Sequence, residues 1–444
     1  MEMMKKVFFV SLGCDKNLVD SEYMIGNLAD AGYEITDDEG KADVIVVNTC
    51  SFIHDAQDES VENILEMSKY KDEGSCKALL VAGCMAQSYG QEILDELPQV
   101  DAVVGTSAYD DIPKIVERVL EGERLVVKKA LSELPKKKKQ RMMTTGGHFE
   151  YLKIAEGCDK HCTYCAIPKF RGNYRSVPME ELLEEAESLA KSGVVELELV
   201  AQETTLYGTD LYGRKSLHIL LKKLCEIEGI HWIRVLYCYP EEIYPELITT
   251  IKEQPKICKY LDLPIQHCND SVLKRMGRRT DRADLERIVA TLRREIPEIT
   301  LRTTLITGFP GETQEEHEEL AEFINEMEFD RLGVFTYSRE DGTPAAAMPD
   351  QVPEEVKESR REELMLLQQE ISQDRNNEKV GKELEIFVEG FIPEENVYVG
   401  RSSADAPNID GFVFFNSYRN LESGDFVKCR ITEASEYDLV GELI

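Results

Sequence analysis

Three cysteines within eight residues constrain this chain more than any other feature: Cys158, Cys162 and Cys165, in the run Gly157-Cys158-Asp159-Lys160-His161-Cys162-Thr163-Tyr164-Cys165. In such a CxxxCxxC triplet each thiolate can take one iron of a [4Fe-4S] cube and leave the fourth iron open. That makes a reactive cluster rather than a closed one. The competing readings are a zinc site or three core cysteines. Zinc wants a fourth near ligand, and His161 lies awkwardly between the thiols.

Cys14, Cys50 and Cys84 form a second set with a repeated context. Each ends an apolar run: Val7 to Cys14, Ala42 to Cys50 and Ala78 to Cys84. Amphipathic stretches such as Ser21 to Leu28 and Asp58 to Tyr70 separate the runs, which predicts strand-helix units and a mostly parallel sheet. All three cysteines then arrive at the carboxyl edge of that sheet, where α/β folds present their ligands. A second three-thiolate cluster follows from the convergence. Any one of them alone reads better as a small buried hydrophobe. Cys76, Cys225, Cys238, Cys258, Cys268 and Cys429 show no pattern and default to core thiols, although Cys238 and Cys268 fall near expected strand ends.

No secretory leader is expected, because Lys5 and Lys6 precede a short apolar run that enters a patterned domain, and no stretch approaches the ~20 apolar residues that cross a bilayer. Twelve cysteines in such a chain suggest metal ligation in the reducing cytoplasm, not a disulfide framework. The balance of 85 acidic against 52 basic residues, net −33, is far from that of a typical nucleic-acid binder. An acidic body attracts a basic partner and repels free polyanions. One basic patch interrupts it, Lys136, Lys137, Lys138, Lys139 and Arg141. With Gly146-Gly147 it reads as a linker, contact with an anionic partner being the alternative.

From about 148 to 370 strands and helices alternate again. Strands are expected at Tyr151 to Ala155, Val195 to Val200, Trp232 to Leu236, Tyr260 to Leu263, Leu301 to Thr307 and Leu332 to Tyr337. Helices are expected at Pro178 to Ser192, Ser216 to Ile227, Asp281 to Glu295 and Gln314 to Glu328. Six units predict a partial (β/α)6 barrel with its chemistry at the carboxyl ends of the strands, and the triplet begins just beyond the first of them. From Val380 the pattern changes to short strands separated by turn signals, which predicts a small β-barrel. Its 13 Asp and Glu against 5 Lys and Arg leave −8, a poor surface for gripping phosphates.

These runs resemble the radical S-adenosylmethionine (SAM) methylthiotransferase family over essentially the whole chain. The resemblance rests on Ser11 to Glu22, on Asn48 to Ile53, on Ala155 through Pro168, on Leu236-Tyr237-Cys238-Tyr239-Pro240 and on Tyr260 to His267. The triplet alone marks only the superfamily, and its combination with the three upstream cysteines marks methylthiotransferases. Lys16 to Val19 and Leu236 to Pro240 favour the branch that modifies an aspartate of ribosomal protein S12 over the branch that modifies tRNA. Asp15 stands where that branch usually has proline, a departure that removes no coordinating atom.

The resemblance implies an α/β chain with an amino-terminal βαβ methylthiotransferase domain over 1–130, a linker over 131–147, a radical SAM core over 148–375 and a TRAM β-barrel over 376–444. It implies two [4Fe-4S] clusters, on Cys158, Cys162 and Cys165 and on Cys14, Cys50 and Cys84, with SAM as methyl donor and radical source. Cofactor contacts are expected from Tyr164, from Gln202 and Glu203 past a barrel strand, and from Gly308, Phe309, Pro310 and Gly311 as an adenosine shelf. Core packing, a solvated strand end and a plain βα turn are the respective alternatives. The expected product is an S12 aspartate carrying SCH3 on its β-carbon, and a tRNA adenosine is the alternative. The expected partners are S12, free or in the small ribosomal subunit, a flavodoxin- or ferredoxin-like electron donor and a sulfur donor. A monomer without membrane attachment is expected. The acidic barrel should dock S12 through Glu394, Glu395, Asp405 and Asp410, with Phe412 or Phe414 adding apolar contact. A non-catalytic two-cluster electron carrier or ribosome-binding factor would instead need saturated clusters and no SAM pocket.

Overall fold

The computed structural model describes residues 4–135, 141–146 and 148–444. Six parallel strands, β1 (Lys6–Ser11), β2 (Glu34–Ile35), β3 (Val44–Thr49), β4 (Ala78–Gly83), β5 (Ala102–Val104) and β6 (Leu125–Val127), form the first sheet in the spatial order β2-β1-β3-β4-β5-β6. β3 and β4 are buried at every position, as strands covered by helices on both faces must be, and their β-branched and aliphatic residues suit that setting. The helix predicted from Ser21 starts earlier, at Asp15, directly after Cys14.

β7 (Phe149–Lys153) opens the second sheet, and a short antiparallel pair, β8 (Ala155–Glu156) with β9 (Arg175–Ser176), brackets the triplet loop. β10 (Glu196–Val200), β11 (Trp232–Val235), β12 (Ile257–Asp262), β13 (Thr300–Thr307) and β14 (Arg331–Thr336) continue it in parallel, in the order β14-β13-β12-β11-β10-β7. Six strands that do not close make the expected partial barrel. Alternation along each strand sorts the side chains. Leu197, Leu199, Ile233, Val235, Leu261 and Leu305 pack into the core shared with the outer helices. Tyr151, Val200, Trp232, Leu236 and Tyr260 join a different core, which includes the first sheet and Phe387.

A 24-residue helix, Glu354–Asn377, leads to the last unit. There β15 (Glu383–Ile392), β16 (Val397–Ser402), β17 (Val413–Asn416), β18 (Phe426–Ala434) and β19 (Leu439–Leu443) close a barrel around Ile386, Val388, Val413, Phe415 and Cys429. Closure leaves no strand edge to pair with another chain. This unit sits on the larger barrel through charge. Arg401 Nη2 lies 2.7 Å from Glu196 Oε2, Arg331 Nη2 lies 2.6 Å from Asp405 Oδ1, and Tyr260 donates to Asp410 Oδ2 at 2.7 Å.

Three expectations are corrected by these contacts. Asp405 and Asp410 are not docking acids, because both turn inward to satisfy Arg331, Tyr260 and the backbone N–H of Ala406. Arg141 does not belong with the basic run read as a linker or as a contact for an anionic partner. Its guanidinium is buried, 3.1 Å from Glu150 and 3.5 Å from Glu22, because helix Asp15–Asp30 brings that carboxylate under the linker. Lys136 to Lys139 lie outside the described residues. Glu394 and Glu395 are exposed, and Phe412 and Phe414 are half-buried as a ring pair. Among the described residues no helix is long and apolar enough to cross a membrane.

Candidate active site: two cysteine trios between two sheet edges

The upstream trio is assembled by topology. Cys14 follows β1 as the N-cap of helix Asp15–Asp30, Cys50 follows β3, and Cys84 begins the helix after β4. Gly13 has φ 86°, and a Cβ there would stand 2.7 Å from Cys50 Cβ, so the close approach of the two strand ends requires glycine. Gly83, at φ 94°, likewise lies against Asn48 and the Thr49 carbonyl. Asn17 Nδ2 donates to the Leu12 carbonyl at 2.6 Å, and Asn48 Nδ2 donates to the Asn17 carbonyl at 2.8 Å, which locks the edge that carries the thiols.

The second trio is assembled by sequence proximity. Cys158 and Cys162 are buried and Cys165 half-buried. His161 adopts φ 53° and is exposed, which turns it out of the loop between the thiols. The Thr163 N–H donates to the Met276 carbonyl at 2.9 Å, and the Cys158 N–H donates to the Gly172 carbonyl at 3.1 Å. Burial pushes the Cys158 thiol up to about 11 and the Cys84 thiol up to about 12, the latter against the pull of Arg171. Buried thiols therefore stay protonated in the bare chain, and a metal centre that binds them must displace those protons.

One short helix joins the trios. Ile167–Arg171 begins two residues after Cys165 and ends with Arg171, whose Nε lies 3.3 Å from Cys84 Sγ. Its Nη1 donates to Asp20 Oδ2 at 2.6 Å and its Nη2 to Asn17 Oδ1 at 3.0 Å, while Lys153 and Glu156 complete the buried ion network. Arg171 is the main residue that the sequence reading missed. Basic residues in the helix directly after the triplet were the available signal, but Cys84 lies 87 positions away.

The expected cofactor contacts divide. Glu203 is fully buried three residues past β10. Its Oε1 accepts the Thr205 N–H at 2.8 Å, its Oε2 has no partner, and burial pushes its carboxyl up to about 7. Gln202 Oε1 is also buried without a partner. Tyr164 meets Phe309 edge-on with ring centroids 6.4 Å apart, so the turn of Gly308, Phe309, Pro310 and Gly311 after β13 braces the triplet loop. Phe309 is fully buried, and Glu312 Oε2 accepts its N–H at 3.2 Å.

Among the described residues no three His, Cys, Asp or Glu side chains converge tightly enough to hold a single metal ion. A cube distributes its ligands over separate irons, so three thiols can hold one without meeting at a single ion. With three thiols in each trio and a buried, orphaned Glu203 oxygen past β10, the residues present fit an iron–sulfur centre and an amino-bearing ligand better than they fit zinc.

The chain is similar to known proteins along its length. Residues 6–105 match the uncharacterized protein family UPF0004, residues 152–324 the radical SAM superfamily and residues 380–444 the TRAM domain. The ribosomal protein uS12 methylthiotransferase RimO of Lachnoclostridium phytofermentans is 58% identical, over 98% of this chain and 99% of that protein. The protein of the same description from Pelotomaculum thermopropionicum is 52% identical over 99% of each. Among solved structures, the radical S-adenosylmethionine methyltransferase TsrM from Kitasatospora setae superposes with a TM-score of 0.54 at 15% identity, covering 77% of this chain and 75% of that one. That likeness is one of fold.

Proposed function

The chain belongs to the ribosomal protein uS12 methylthiotransferase family, and we propose from that membership and from the facing cysteine trios that it installs a methylthio group on the β-carbon of an aspartate in ribosomal protein S12, using SAM. A tRNA substrate is not favoured by that membership. What supports the reading is that Arg171, on the helix that follows Cys165, reaches Cys84 Sγ at 3.3 Å, which puts the triplet loop and the upstream cysteines in one neighbourhood.

In this reading each trio holds one [4Fe-4S] cluster. A reduced cluster held by Cys158, Cys162 and Cys165 would supply the electron that breaks a sulfonium C–S bond of SAM, giving methionine and a carbon radical able to take hydrogen from carbon. That power is needed because no side-chain base deprotonates an unactivated C–H bond usefully near neutral pH. The chain's own residues bind and orient. Glu203 offers its unpartnered oxygen to the SAM amino group, Gln202 adds a second acceptor, and Tyr164 on Phe309 walls the site. Gly308 to Gly311 fix that wall. Cys14, Cys50 and Cys84 would hold the centre that supplies sulfur, and Arg171 places a cation beside Cys84.

The protein works in the cytoplasm as a monomer, taking electrons from a flavodoxin- or ferredoxin-like donor and sulfur from a separate donor. Its acidic terminal barrel, with exposed Glu394 and Glu395, suits a basic ribosomal protein. The test is incubation of the reconstituted, reduced protein with SAM, sulfide and an S12 peptide. A methylthio mass gain on the peptide is expected, and its absence with both clusters loaded would sink the proposal.

A further inference from the structure

The segment Leu236 to Pro240 carries two tyrosines that the reaction as described does not use. It leaves β11 and is pinned at three points: the Tyr237 N–H donates to Asp262 Oδ2 at 3.1 Å, the Cys238 N–H to the Asp262 carbonyl at 2.8 Å, and the Tyr239 N–H to Thr205 Oγ1 at 3.3 Å. Tyr237 adopts φ 59° and points to the upstream trio. Its hydroxyl lies 3.3 Å from Asp15 Oδ1, and Lys16 Nζ stands 3.2 Å above its ring.

Tyr239, two residues on, points to the other trio, with its hydroxyl 3.6 Å from Cys162 Sγ. Two cations cover its ring, Arg278 at 4.3 Å and Lys160 at 4.9 Å. Lys160 is neutralised by Glu241 and Glu242. Arg278 is not. Its Nη2 donates to the Pro264 carbonyl at 2.9 Å, its Nε and Nη1 are buried without partners, and among the described residues no carboxylate lies within ion-pair distance. Glu241 acts on Arg278 only from beyond ion-pair distance and is already paired with Lys160, so the buried guanidinium is under-compensated and the site suits a further anion.

We propose that Tyr239 and Arg278 tune the cluster held by Cys158, Cys162 and Cys165: the Tyr239 hydroxyl donates to the Cys162 thiolate, and Arg278, stacked on that ring, supplies the positive charge that offsets the electron the cluster takes up from its donor. This rests on the cluster assignment made above. A metal-bound thiolate has no proton, so it can only accept from the phenol. Hydrogen bonds and cations near cluster sulfurs favour the reduced state and raise the potential. Both residues therefore act through the cluster as positioning residues and need no contact with S12.

The experiment is a redox titration of the full-length reconstituted chain without SAM, following by electron paramagnetic resonance the reduced-cluster signal that added SAM perturbs. Tyr239→Phe, which removes only the O–H, should make reduction about tenfold less favourable, a shift of about 59 mV to more negative potential for one electron. Arg278→Gln should shift it further in the same direction. Tyr237→Phe, on the same segment but facing Asp15, should leave that potential in place. An unmoved potential in both Tyr239→Phe and Arg278→Gln at wild-type iron content overturns the proposal. So does weaker SAM binding in Arg278→Gln with an unmoved SAM-free potential, which assigns Arg278 to the SAM carboxylate. If Tyr239→Phe takes up no iron, the Arg278→Gln potential decides alone. A wild-type chain that loads iron but shows no SAM-responsive signal overturns the functional reading along with it.

Discussion

The two cysteine trios are assembled by opposite routes. Cys158, Cys162 and Cys165 share one loop after β7, held by backbone hydrogen bonds to Gly172 and Met276. Cys14, Cys50 and Cys84 come from three strand ends and meet only because β1, β3 and β4 lie side by side in parallel. The first trio depends on local conformation, and the second on an entire sheet. A local site tolerates drift in the surrounding fold, whereas a topological site fails with any one of its strands.

The sharpest way to break this comparison is to remove one thiol from each trio. Cys162→Ala should abolish SAM cleavage, measured as 5′-deoxyadenosine release from the reduced chain. Cys50→Ala should keep that release within a few-fold of wild type and abolish methylthio transfer to an S12 peptide. A Cys50→Ala protein that still transfers methylthio at the wild-type rate would show that the upstream trio does not deliver sulfur.

Next in size is the link between the trios. Arg171 is buried and serves Cys84, Asp20, Asn17 and Glu156 at once. Arg171→Met leaves Asp20 and Glu156 with Lys153 as their one remaining ion-pair partner among the described residues, and should cost about 3–5 kcal/mol of stability. Denaturant unfolding of the bare chain measures this. If the loss is below about 1 kcal/mol, the trios are set by their own elements and Arg171 is incidental.

Much of the architecture was legible because hydrophobic period and glycine placement act locally. The strand ends at Ser11, Thr49 and Gly83 and the six barrel strands were expected within a few residues of where they stand. Side-chain partnership was less legible. Arg171 answers to Cys84, and Asp405 answers to Arg331, 74 positions away. An acid in a turn-rich stretch reads as solvated until the opposing cation is placed by the fold. For that reason Glu394 and Asp405 looked equivalent in the sequence and are not.

The smallest expected effects separate those two acids. Burial disfavours the Asp405 carboxylate, but Arg331 and Lys379 override it and hold the group below its ordinary value. A depressed carboxyl adds stability above its unfolded pKa of about 3.9 and loses it as the pH falls through the folded value. Asp405→Asn should therefore destabilise the chain at pH 7 and by less in strong acid, with no change in the salt dependence of S12 binding. Reversing Glu394 and Glu395 to lysine should do the opposite, weakening S12 binding by about 1 kcal/mol or less with unfolding unchanged. Binding isotherms at two salt concentrations distinguish the cases.

Cys14 is the exposed member of twelve cysteines, and it sits at the start of a 16-residue helix. In the bare chain it is the thiol that oxidants and alkylating reagents meet first, while Cys50 and Cys84 are shielded beneath it. Exposure governs progress up the oxidation ladder, from reversible sulfenic acid to irreversible sulfinic and sulfonic acids. Air damage during purification should therefore be selective. Preparations handled outside an anaerobic chamber should keep a triplet able to take up iron while accumulating molecules that can never be repaired at the upstream trio, so the vulnerability of the whole catalyst is set by one surface sulfur.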